Sequence, residues 1–268
     1  MTRAGAQADV PTRAQPSLAL QAQLLWVLVE RQILIRSKRS MVGTFWPAIS
    51  PLFMLVLYSF VFRRIFEVPI DRYPEFLVAG LLPWAFLSQS VSAAISSLSV
   101  EADLIRRAPF RHELIPTSMV LSMALYFVAT LVMFGAYLAY HGRLAWSLAP
   151  ALLVPTVAVV LFVAGIGQLV SLFDIYNRDL RFVIGNALTI WFFLLPIVYR
   201  HDMVPDSLEF LRSVDPMNMI IGQFRDILYY QSIQRPDHFV LMLVVCVVFY
   251  VVCLRVFRAF SRDLPKDV

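Results

Sequence analysis

Glu101-Ala-Asp-Leu-Ile-Arg-Arg-Ala-Pro-Phe-Arg-His-Glu113 stands between two long uncharged runs, Phe76–Val100 and Leu114–Tyr140. Each run reaches the roughly 20 apolar residues that a helix needs to cross a bilayer at about 1.5 Å per residue. A few turn residues suffice to join two such helices. The island between these two instead carries Leu104, Ile105 and Phe110 among its charges. The pattern predicts a short, charged helix held at the membrane face, suited to docking.

Outward from the island the chain stays apolar. Its 268 residues are 59% hydrophobic and 15% charged, with a mean hydropathy of +0.71. A soluble domain carries about 25% charged residues, so the expected fold class is all-α integral membrane. Six runs qualify as spans: Met41–Phe62, Phe76–Val100, Leu114–Tyr140, Leu144–Phe173, Phe182–Tyr199 and Phe239–Leu254. The fourth and sixth are best placed at about 148–173 and 238–256, since Arg255 can snorkel. One membrane domain, 18–260, lies between tails at 1–17 and 261–268. Met1–Pro16 is polar and rich in Pro and Ala, which predicts a disordered tail and no signal peptide.

Orientation follows from the basic residues. With the N-terminus in the cytoplasm, fifteen of the 23 Lys and Arg fall on the cytoplasmic side, while the acidic residues divide equally. Both termini and the island are therefore expected to be cytoplasmic. This asymmetry also explains the sequence pI of 9.4 with no need for a nucleic-acid partner.

Two further stretches are neither spans nor plain loops. In Leu18–Ile35, Leu24, Leu28 and Ile35 recur at helical spacing beside Glu30 and Arg31, which predicts an amphipathic helix along the interface. Between the fifth and sixth spans, Asp206-Ser-Leu-Glu209 has capping-box spacing, and Asp215-Pro216 places an N-cap before a proline at the first helical position. Two short re-entrant helices are expected there.

The sequence holds little chemistry of its own. All 18 acidic residues and all four histidines lie in loops or at span ends, whereas a membrane-embedded enzyme or proton-coupled carrier needs such groups at depth. No metal-spacing His/Cys cluster and no Gly-Lys pair occurs, so there is no P-loop. Cys246 and Cys253, seven apart in the last run, read as core or lipid-facing residues. Gly165 and Gly167 read as helix packing. Ser92, Ser96 and Ser99 share one face of the second run, where they either pack closely or line a wet path.

Read in order, these motifs resemble those of the ABC-2 type permeases, specifically the membrane subunits of O-antigen, capsule and teichoic-acid exporters. The resemblance covers about residues 20–260. It rests on Arg36 with Gly43-Thr-Phe-Trp-Pro-Ala-Ile-Ser-Pro51, on Tyr73-Pro74 with Ala79-Gly-Leu-Leu-Pro-Trp84, and on Asp103-Leu-Ile-Arg-Arg107 with Glu113-Leu-Ile-Pro116. Asp174-Ile-Tyr-Asn-Arg-Asp179, Pro196-Ile-Val-Tyr199, Pro205 and Asp215-Pro216 complete it. Phe110-Arg111 departs from the family's usual Phe-Pro, Asn177 from an aromatic, and Asp215 from Asn.

The resemblance implies that two copies of the chain pair with two ATP-binding-cassette subunits, which bind the ATP and Mg; this chain would hold no cofactor. The coupling elements would be the interfacial helix, with Glu30 and Arg31, and the island, with Leu104, Ile105, Arg106, Arg107, Phe110 and Arg111. The cargo would be a lipid-linked polysaccharide crossing the bacterial inner membrane at the dimer interface. Phe45, Trp46, Phe53, Tyr58, Trp84, Trp191 and Phe192, with Ser92 and Ser96, would line the path, since glycans stack on rings and bond to hydroxyls. Arg178 and Arg181 would either meet the carrier's phosphates or anchor the fifth span by pairing with Asp174 or Asp179. The alternatives are an ABC-2 drug or lipid exporter and a membrane glycosyltransferase, the latter motivated by the acidic loop Glu67, Asp71 and Glu75.

Overall fold

The computed structural model describes residues 17–39, 70–107, 110–177, 179–200, 215–233 and 235–261, with the isolated positions 53, 57, 60 and 61. Every regular element among them is a helix. The interfacial helix α1 runs Leu18–Arg39. The second expected span forms α2, Tyr73–Ile95, followed by α3, Ser97–Val100, and α4, Ala102–Arg107, within the island. Next come α5, Leu114–Tyr140, and α6, Leu153–Tyr176, which continues a 3-10 turn over Ala149–Leu152. Then follow α7, Leu180–Leu194, α8, Pro216–Arg225, and α9, Pro236–Phe260.

Among the described residues four helices are long and apolar enough to cross a membrane: α2, α5, Ala149–Tyr176 and α9. The chain is an integral membrane protein. The first expected span, 41–62, lies outside the described residues except at those isolated positions, as does the capping-box helix expected near Asp206.

Local chemistry sets the ends of these helices. Glu113 and His141 bound α5 where the uncharged run predicts. The second run does not continue to Val100 as expected. Ser96 turns at φ −87°, ψ 4° and its N–H bonds to the Ala94 carbonyl, so the chain enters the island in steps. This run is rich in serine, and serine hydroxyls compete for backbone carbonyls; Ser92 Oγ, for example, donates to the Ser88 carbonyl at 2.7 Å. The expected fifth span to Tyr199 is also shortened. Leu195 precedes Pro196 and is extended at ψ 138°, as the residue before a proline prefers. Helix α8 begins as expected, with the Asp215 carboxylate accepting from the Met217 N–H at 2.8 Å.

Helix α2 is the hub. It is buried along most of its length, whereas α9 turns Val240, Leu241, Val244, Val248 and Val252 outward. Gly167 lets α6 meet Ala94 and Val120, where a Cβ would lie 3.2 Å from each; at Gly165 a Cβ would lie 3.0 Å from the Phe249 ring. These glycines are packing residues, as small residues between membrane helices usually are. Cys246 and Cys253 are free and buried.

Candidate functional site

The island sits on a small apolar cluster of its own, formed by Leu98, Ile105, Ile115, Leu172 and Phe257, with Phe110 and Ile175 packed against it. Five elements meet there: α3, the island, the start of α5, and the ends of α6 and α9. The expectation that Ile105 inserts into a partner is therefore corrected. It is 3% exposed and holds the island to its own helices, because a residue on the inward face of so short a helix is taken up by the nearest core.

Three carboxylates fix the island and its surroundings. Glu101, just before α4, accepts from Arg31 Nη1 of α1 at 2.7 Å. Glu113, at the N-terminus of α5, accepts from Arg258 of α9 at 2.9 Å. Asp174, in the last turn of α6, accepts from Arg181 Nη2 of α7 at 2.7 Å and from the Ser99 hydroxyl at 2.9 Å. All three carboxylates are buried while the arginines are about half exposed. A carboxylate suits the N-terminal end of a helix, as Glu113 does, whereas one at a C-terminal end opposes the helix dipole. Asp174 is in the second position, and its two donors offset the repulsion.

What the island presents outward is Asp103 and Arg106, which are exposed, and Leu104, which is half-buried. Phe110 and Arg111 are half-buried, and Phe110 lies edge-on to the His112 ring at 5.6 Å. Burial pushes the His112 imidazole below its ordinary value, against a hydrogen bond to the Ser261 backbone and the nearby Glu113 charge, which both raise it. From α1, Glu30 and Arg31 are exposed beside the island. The Arg107 side chain lies outside the described residues. The Glu101–Arg31 contact thus brings together the two coupling elements expected from sequence.

Other expected site residues fall elsewhere. Arg181 pairs with Asp174, one of the two partners that the anchoring alternative names; Arg178 lies outside the described residues, as do Phe45, Trp46 and Tyr58. Trp84 and Phe192 are each 6% exposed. Trp84 meets Trp191 edge-on at 5.6 Å and Phe192 at 5.8 Å. The expectation that these two line a path is corrected: the rings pack on one another within the chain. Trp191 donates its indole N–H to Asp215 at 2.6 Å. Phe53 is exposed, Ser92 is exposed and Ser96 is half-buried. Among the described residues no group of three or more His, Cys, Asp or Glu can hold a metal ion.

Glu101, Glu113 and Arg258 were not among the expected site residues, and Asp174 entered only as a possible partner of Arg178 or Arg181, although a carboxylate at each helix end facing the basic side was a readable signal. The buried Arg225 left no such signal.

This arrangement, a charged island pinned between the second and third apolar helices of an all-helical membrane chain, agrees with the family match. The model for the ABC-2 type transporter family matches residues 23–229. The chain belongs to the ABC-2 type transporter family. Among curated relatives, this ABC-2 chain is 28% identical over 209 residues to an O-antigen export system permease protein, RfbA, of Klebsiella pneumoniae, covering 76% of this chain and 79% of the relative. It is 24% identical over 249 residues to an RfbA of Myxococcus xanthus, covering 91% and 95%. The resemblance read from the motifs is borne out at the family level, and ABC-2 membership marks the chain as the membrane part of a transporter.

Proposed function

We propose that this ABC-2 chain is the membrane subunit of an ATP-driven exporter of a lipid-linked polysaccharide in a bacterial inner membrane. Two copies with six spans each enclose the path, both termini face the cytoplasm, and a separate ATP-binding-cassette subunit binds ATP and Mg and docks on the island. The carrying observation is the island itself. Its outward face presents Asp103, Leu104 and Arg106, while Glu101, Glu113 and Ile105 tie its inward face to α1, α5, α6 and α9. A push on such an element reaches several helices at once, because packed cores rearrange between discrete arrangements and do not deform continuously. Helix α1 packs on α5 and turns Leu20, Val27 and Leu34 outward, which supports a seat at the lipid interface. The named relatives support a glycan cargo.

Reconstitution in liposomes tests this reading. The chain alone should not move a lipid-linked glycan, and addition of the matching ATP-binding subunit with ATP and Mg should start transport. Turnover by the chain alone overturns it.

A further inference from the structure

The end of the molecule opposite the island holds a buried cation that the coupling mechanism does not use. Arg225, in the last turn of α8, is 4% exposed. Its Nη1 donates to the Pro196 carbonyl at 2.6 Å and its Nη2 to the Ile197 carbonyl at 2.7 Å. Its guanidinium carbon lies 3.7 Å from the centre of the Phe76 ring, while Nε is buried without a partner. No carboxylate pairs with Arg225 among the described residues.

A buried charge needs compensation, and here carbonyl dipoles and an aromatic face supply it. The need runs both ways. The turn after α7 breaks the helix at Pro196, and Leu195–Val198 are all buried. Its carbonyls cannot reach water at membrane depth and need donors from elsewhere in the chain. Arg225 serves two of them, and the Tyr73 hydroxyl serves the Val198 carbonyl at 3.0 Å. The fit is tight. A Cβ at Gly80 of α2 would come within 2.9 Å of Arg225 Nη2 and 3.4 Å of Ile221.

We infer that Arg225 is a positioning residue, the bolt that makes α8, the turn ending α7 and the N-terminal half of α2 one rigid body. Opening at this end of the transport path then displaces all three together. That consequence rests on the transport reading; the rigid body does not.

Hydrogen exchange on the purified full-length chain in nanodiscs tests the bolt without any export assay. Arg225→Met should speed amide exchange in 195–199 and 216–230 by about tenfold or more, because it leaves buried carbonyls unserved. Exchange in the island and α5 start, 101–115, should stay at the wild-type rate. Arg225→Lys should fall between, since an ammonium keeps the charge but lacks the planar fork. Gly80→Ala, which pushes on the guanidinium without removing it, should produce the same local pattern more weakly. Unchanged exchange at 195–199 in both Arg225→Met and Gly80→Ala overturns the inference. Acceleration that extends equally to 101–115 also overturns it, because Arg225 would then serve the whole fold.

Discussion

Asp174 shows how a single carboxylate is tolerated at the end of a membrane helix. It has no exposed surface and lies where the helix dipole disfavours a negative charge, and Arg181 and Ser99 make it acceptable. Asp174→Asn should leave Arg181 without its counter-charge and destabilise the chain by about 1–3 kcal/mol. Thermal unfolding of the purified protein measures this, and an unchanged midpoint would mean that the pair contributes nothing. His112 makes a second prediction at this scale. Its folded-state value lies below the ordinary 6.5. Its contribution is therefore fully present above about pH 6.5 and is lost as pH falls through the folded value. Proteolytic protection of the island should weaken as pH is lowered from about 7 to about 5. His112→Phe, which keeps a ring against Phe110 and cannot titrate, should weaken less; equal acid sensitivity in both proteins would remove His112 as the cause.

At the scale of elements, the island and α1 are joined by Arg31 and Glu101. If that pair aligns them, reversing Glu101 to Arg should lower ATP-driven transport, and the double exchange Arg31→Glu with Glu101→Arg should recover part of it. A swapped pair no better than the single variant would show that the contact is incidental. The elements also show where sequence suffices. Helix α5 was legible to the residue because Glu113 and His141 bound it. The N-cap of α8 was legible because Asp215-Pro216 carries its own mechanism. The ends of α2 and α7 were not. Hydrophobicity continues through Ser96 and through Leu195–Tyr199, while the backbone obeys the serine-rich turn and the proline. Ile105 was misread for a related reason. On a six-residue helix, the sequence does not say which apolar residues face the chain's own core. Arg225 was not singled out from sequence, because its burial depends on carbonyls 28 and 29 residues away.

For the whole molecule, the sequence made the class and the family readable through the spacing of weak motifs over most of its length, and the family match over 23–229 agrees. The path for cargo was less legible. Aromatic residues serve equally as core, belt and lining, and Trp84 and Phe192 proved to be core. The central claim is that the island both receives the ATP-binding subunit and passes its motion on through Glu101 and Glu113. The most direct measurement compares two variants for capture of that subunit and for ATP-driven transport in liposomes. Arg106→Glu with Arg107→Glu, which reverses two charges of the island, should lose the subunit and transport together while the chain still inserts. Glu101→Gln with Glu113→Gln, which loosens the inward clamps, should keep the subunit and lose most of the transport. Full capture by the first variant, or wild-type transport by the second, would contradict the account.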